Sequence, residues 1–77
     1  MEAKIFMSPM CPWCHKAKDL LESHGVTVHL VNISTDSQGA ADMMQASGQK
    51  SVPVTVIGNR VIVGYDKDSI EMAINTS

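Results

Sequence analysis

A single helical stretch separates two apolar, strand-like runs near the start of this 77-residue chain, and that spacing decides most of the fold. Ala3 to Met7 is short, apolar and led by Ile5 and Phe6, which suits a buried strand. Pro9 and Pro12 then break it. From Pro12 to His24 the apolar spacing turns helical. Ala17, Leu20 and Leu21 share a face, with Trp13 or Cys14 one turn back. Pro12 sits where a first-turn proline is tolerated, and Gly25 ends the helix. Val26 to Ile33 is a strand by its β-branched content. A right-handed crossover through the helix makes the two strands parallel.

The second half is read in the same way. Thr35-Asp36-Ser37-Gln38 resembles a capping box, with Thr35 as the cap and Gln38 three residues on. Ala40, Met43, Met44 and Ser47 would share one face of a second helix, closed by Gly48. Val52 to Ile57 and Arg60 to Val63 flank Gly58-Asn59, a two-residue hairpin signal. Asp66 or Asp68 caps a last helix carrying Ile70, Ala73 and Ile74. The order β-α-β-α-β-β-α predicts one α/β domain over 1–77, a four-stranded mixed sheet flanked by three helices. Pro53 cannot donate to a ladder, so either the strand starts after it or the Val52-Pro53 bond is cis, in a turn.

The formal net charge of -2 offers no general affinity for nucleic acid or anionic membranes. No apolar run reaches the roughly 18 residues of a membrane span. MEAKIFMSPM lacks the apolar core of a signal peptide. A cytoplasmic monomer is therefore expected. In that reducing compartment a vicinal dithiol is usually catalytic or metal-binding.

Both cysteines lie in Cys11-Pro12-Trp13-Cys14. A disulfide closed over two residues constrains little of the unfolded chain, so it braces poorly and exchanges readily. Cys11 falls at the helix start, where unpaired N–H groups and the positive end of the dipole favour a thiolate. Lys16 and Lys18 add positive field. Cys14, deeper in the helix, is the resolving thiol. Cys11 attacks a substrate disulfide, a mixed disulfide forms, and Cys14 releases it. Trp13 is expected on the exposed rim as a substrate contact. The first strand carries no carboxylate that could act as a buried acid beneath the pair. Cys11 to His15 also fits the C-x-x-C-H haem-attachment pattern, but β-branched strands are wrong for a small helical cytochrome. Zinc would need two further ligands, and His15, His24 and His29 show no metal spacing with the pair.

CPWCHKAKDLL (11 to 21), SVP (51 to 53) and VGYD (63 to 66), in this order of elements, resemble a glutaredoxin over nearly the whole chain. The short length and the VGYD ending are similar to small bacterial and archaeal glutaredoxin-like redoxins, near the NrdH-type hydrogen donors of ribonucleotide reductase. The resemblance implies a thioredoxin fold with Pro53 in cis. It implies that the Val52 backbone pairs with glutathione or a peptide substrate. Lys50 would meet a glutathione carboxylate and Asp66 the glutathione amino group, with Trp13, Gly64 and Tyr65 completing the substrate-binding set. Two positions depart from the family pattern. Ser8 stands where a lysine often precedes the first cysteine, and Val63-Gly64 replaces a Gly-Gly pair. The implied activity is dithiol–disulfide exchange on protein or glutathione mixed disulfides, with no bound cofactor. Glutathione is the expected electron donor. The alternatives are a redoxin reduced by thioredoxin reductase and a metal or iron–sulfur binding module.

Overall fold

The computed structural model describes residues 1–76. Its elements are β1 (Glu2–Met7), α1 (Pro12–Ser23), β2 (Thr27–Asn32), α2 (Ser37–Ser47), β3 (Val54–Ile57), β4 (Arg60–Val63) and α3 (Lys67–Thr76). The strands form one sheet in the order β2-β1-β3-β4. β1 and β2 are parallel, as the crossover through α1 demands, and pair from Glu2 with Thr27 to Met7 with Asn32. β3 runs antiparallel to β1 and to β4.

Alternation along the central strands sorts side chains onto two faces. Ala3, Ile5 and Met7 pack with Cys14, Ala17 and Leu21 of α1 and with Ile70 and Ala73 of α3. Phe6 and Val54 point the other way, onto Met43 of α2. Val52 touches both layers and so lies where the two cores meet. A Cβ on Gly39 would collide with the Val31 side chain, so glycine is what lets α2 lie close against β2.

The elements follow the expected order, and the differences are local. Pro53 bears out both expectations at once: the Val52-Pro53 bond is cis, and β3 begins after it, at Val54. Thr35 is not the cap of α2. Asp36 takes that place, its carboxylate accepting from the Gly39 N–H at 2.9 Å. A carboxylate one residue nearer the helix outcompetes the hydroxyl, which turns back to the Asn32 carbonyl. Asp66, not Asp68, precedes α3 and caps it through Ser69. In the hairpin Gly58 takes a φ of 58°, and Asn59 stays on the negative side. A turn with glycine at its first central position joins Ile57 to Arg60 in this way.

Candidate active site

The site begins at the end of β1, where the chain leaves the sheet and starts α1. Cys11 holds the cap position of that helix, with extended φ and ψ of -105° and 103°. Its sulfur accepts from the Cys14 backbone N–H at 3.2 Å. The Cys11 N–H in turn donates to the Ser8 carbonyl at 3.1 Å, closing the approach loop. An orphan helix donor therefore points at the sulfur. Cys11 is half-buried and Cys14 is 2% exposed, and both are free thiols. Burial, together with the hydrogen bond to Cys11, pushes the Cys14 thiol up to about 11.

Trp13 and Tyr65 arrive from opposite sides of the sequence and stack, with ring centroids 5.7 Å apart. Trp13 remains 53% exposed, on the rim where it was expected. The Lys16 ammonium lies over the indole, 4.6 Å from its centroid. Lys18 is instead paired with Glu22 at 3.0 Å, so of the two lysines only Lys16 is directed to the rim.

Behind the thiols, the Gly64 N–H donates to the Pro53 carbonyl at 2.8 Å and fixes the segment after β4 against the one before β3. Gly64 has a φ of 79°, which a side chain would resist. Among the described residues neither backbone polar group of Val52 has a hydrogen-bond partner. Val52, Cys11 and Tyr65 pack against the same core. The structure thus brings Cys11, Trp13, Cys14, Val52, Pro53, Gly64 and Tyr65 to one end of the sheet, with Asp66 next in sequence. The Asp66 carboxylate is exposed but engaged: the Ser69 N–H (3.2 Å) and hydroxyl (2.8 Å) both donate to it. Those two bonds hold its carboxyl below the usual value. Lys50, two residues before Val52, lines a groove on the α2 side with Ile33, Ala40, Ala41, Met43 and Met44. Ser8 lies 3.4 Å from the Ser34 hydroxyl, a neutral contact where a lysine would have brought charge.

The sequence reading missed three features. Lys16 over Trp13 was available from their three-residue spacing on a helix. Ser69 as the partner of Asp66 was available from the same spacing. Met43 and Met44 hinted at core filling or a groove lining, but the groove beside Lys50 as a whole depends on tertiary packing. Among the described residues no three His, Cys, Asp or Glu side chains are grouped to hold a metal ion.

The glutaredoxin family model matches residues 3–62. The chain belongs to the glutaredoxin family. It is 38% identical, over 71 residues, to an uncharacterized glutaredoxin-like 8.6 kDa protein in the rubredoxin operon of Clostridium pasteurianum, covering 92% of this chain and 95% of that protein. It is 40% identical to a glutaredoxin of Neisseria meningitidis over 63 residues, 79% of this chain and 73% of the relative. Its fold is similar to a glutaredoxin from Archaeoglobus fulgidus, with a TM-score of 0.86, 23% identity and coverage of 94% and 84% of the two chains. The NrdH-redoxin of Escherichia coli superposes with a TM-score of 0.80 at 26% identity, over 94% and 93% of the chains. The fold is therefore thioredoxin-like, and the Cys11–Cys14 pair is that of a glutaredoxin-like thiol–disulfide redox protein.

Proposed function

We propose that this family member is a dithiol carrier that reduces protein and glutathione mixed disulfides, with Cys11 attacking and Cys14 resolving. The carrying observation is the asymmetry of the two thiols. Cys11 is half-open and receives a helix N–H on its sulfur, whereas Cys14 is buried and its thiol is raised. In the first step the Cys11 thiolate attacks one sulfur of the substrate disulfide and expels the other as a thiolate. In the second, Cys14 attacks the Cys11 sulfur of the mixed disulfide. The remaining substrate thiol leaves with the proton Cys14 gave up, and the two cysteines are left oxidised. A two-electron donor then restores the dithiol.

Glutathione is the proposed donor. A buckwheat glutaredoxin with a similar fold, 25% identical, was solved in complex with glutathione. The unpaired backbone of Val52 supports an extended ligand lying across the site, flanked by the Trp13–Tyr65 stack. Asp66 would meet an ammonium group, and Lys50 a carboxylate. Lys50 has no ion partner among the described residues. The NrdH-redoxin of Escherichia coli, a glutaredoxin-like protein with a thioredoxin-like activity profile, favours a second reading: electrons from thioredoxin reductase, delivered to targets such as ribonucleotide reductase. A monomer in the cytoplasm fits either donor.

The deciding test uses one mixed disulfide with two electron sources, glutathione plus its reductase and thioredoxin reductase. Turnover with glutathione is expected. Ser8→Lys should lower the apparent constant for glutathione, because a charged hydrogen bond contributes about 1.5–3 kcal/mol, while Lys50→Ala should raise it. If neither substitution moves that constant and only thioredoxin reductase supports turnover, the second reading replaces the first.

A further inference from the structure

We propose that the groove beside α2 is a recognition pocket for protein targets, taking an apolar side chain and a carboxylate two residues apart, on the same face of the segment that carries the target disulfide. The proposal rests on the redox reading above and names the substrate class it favours. The groove holds about 450 Å³ and is lined by Ile33, Ala40, Ala41, Met43, Met44 and Lys50. Its walls are aliphatic and thioether surface, and the single charge among them is the ammonium of Lys50. That charge has no ion partner among the described residues. Methionine side chains adapt their shape to varied apolar partners. An apolar side chain fits the walls, and a carboxylate beside it meets Lys50. Glutathione supplies carboxylates but no apolar side chain of that size.

The groove also lies where a bound strand would deliver such a side chain. Lys50 is two residues before Val52, whose backbone is unpaired and whose side chain touches both cores. On one side Val52 shares its core with Cys11; on the other it meets the layer that holds Met43 and Ile33. Ile33 is tied to the end of β1 through its N–H to the Met7 carbonyl at 3.0 Å. A target strand paired with Val52 alternates its side chains between the two faces. Its cysteine faces Cys11, and residues an odd number of positions away face the α2 layer.

The probes are symmetric disulfides of Glu-Gly-Leu-Gly-Gly-Cys and of Cys-Gly-Gly-Leu-Gly-Glu, in which Leu and Glu lie three and five positions from the cysteine and so share the α2 face, compared with counterparts carrying Ser for Leu and Gln for Glu. Hydroxyethyl disulfide serves as the small control. The wild-type protein should show an apparent KM roughly tenfold lower for at least one Leu-Glu peptide than for its Ser-Gln counterpart, at similar kcat. Ala41 is exposed, so Ala41→Glu introduces a negative charge at the groove without disturbing the core. That variant should erase the preference and leave turnover of hydroxyethyl disulfide unchanged. Equal KM values for the Leu-Glu and Ser-Gln peptides in the wild type would overturn the pocket while leaving the redox reading intact. A preference that survives Ala41→Glu would overturn it as well. Failure to turn over hydroxyethyl disulfide at all would overturn the redox reading itself.

Discussion

Helices α1 and α2 begin with the same local device and put it to opposite uses. At α2 the Asp36 carboxylate accepts from the Gly39 N–H at 2.9 Å. At α1 the acceptor is the sulfur of Cys11, reached by the Cys14 N–H at 3.2 Å. A carboxylate is a strong, chemically inert acceptor that stays in place. A thiol is a weaker acceptor, and its sulfur is also a nucleophile, so the same N–H holds a reactive atom at the helix start. The exposed cap stabilises a helix in one case and holds a reactive atom in the other. Both are bought with backbone donors that a helix start leaves over in any case.

Substitutions at the two caps should break this symmetry in opposite ways. Cys11→Ser gives the largest effect: exchange with any disulfide should vanish, because Cys14 is buried and protonated, yet the helix keeps a good cap. Stopped-flow exchange and thermal melting on the same sample read both consequences. Asp36→Ala should do the reverse, costing about 1 kcal/mol of stability by chemical denaturation with exchange rates unaltered.

Smaller effects sharpen the same comparison of satisfied and unsatisfied groups. Thr55, fully buried in β3 between Ile5 and Ile62, has a hydroxyl with no hydrogen-bond partner among the described residues. Thr55→Val removes that orphan and keeps the shape, so it should add about 1 kcal/mol to the free energy of unfolding, read as a higher denaturation midpoint. Asp66 is the mildest case. Its carboxyl is lowered by Ser69, so its contribution is present above the unfolded-state value and is lost as the pH falls through the lowered one. Asp66→Asn should flatten that part of an acid-unfolding curve. An unchanged curve would show that the cap does nothing for stability.

Much of this architecture is legible in the residues themselves. The parallel β1–β2 pair follows from two apolar runs around one helical stretch, and the β3–β4 hairpin from Gly58-Asn59. Asp36 was hidden by competition, because two adjacent residues can both cap and the choice depends on backbone angles that the sequence does not state. Ala17, Leu20 and Leu21 declared one face of α1, but that Cys14 and not Trp13 joins the buried stripe rested on rotation of the helix against β1. At the site, Cys11, Cys14, Val52 and Pro53 could be singled out from their motifs. The position of Lys50 was less accessible. Its role depends on how α2 packs beside the end of β2, which is a long-range consequence of Gly39 admitting the helix close to Val31. The Lys18 charge was overestimated, since Glu22, one turn on, takes it up.

The unequal roles of the two thiols are tested most directly by alkylating the reduced protein with iodoacetamide at pH 7 and locating the adduct by peptide mass spectrometry. With the Cys14 thiol at about 11, its thiolate fraction at pH 7 is on the order of 10⁻⁴. Label should therefore accumulate on Cys11 alone. In the Cys11→Ser protein, Cys14 should stay unlabelled until the pH is raised by several units. Faster labelling of Cys14 than of Cys11 at neutral pH would reverse the assignment of attacking and resolving thiols.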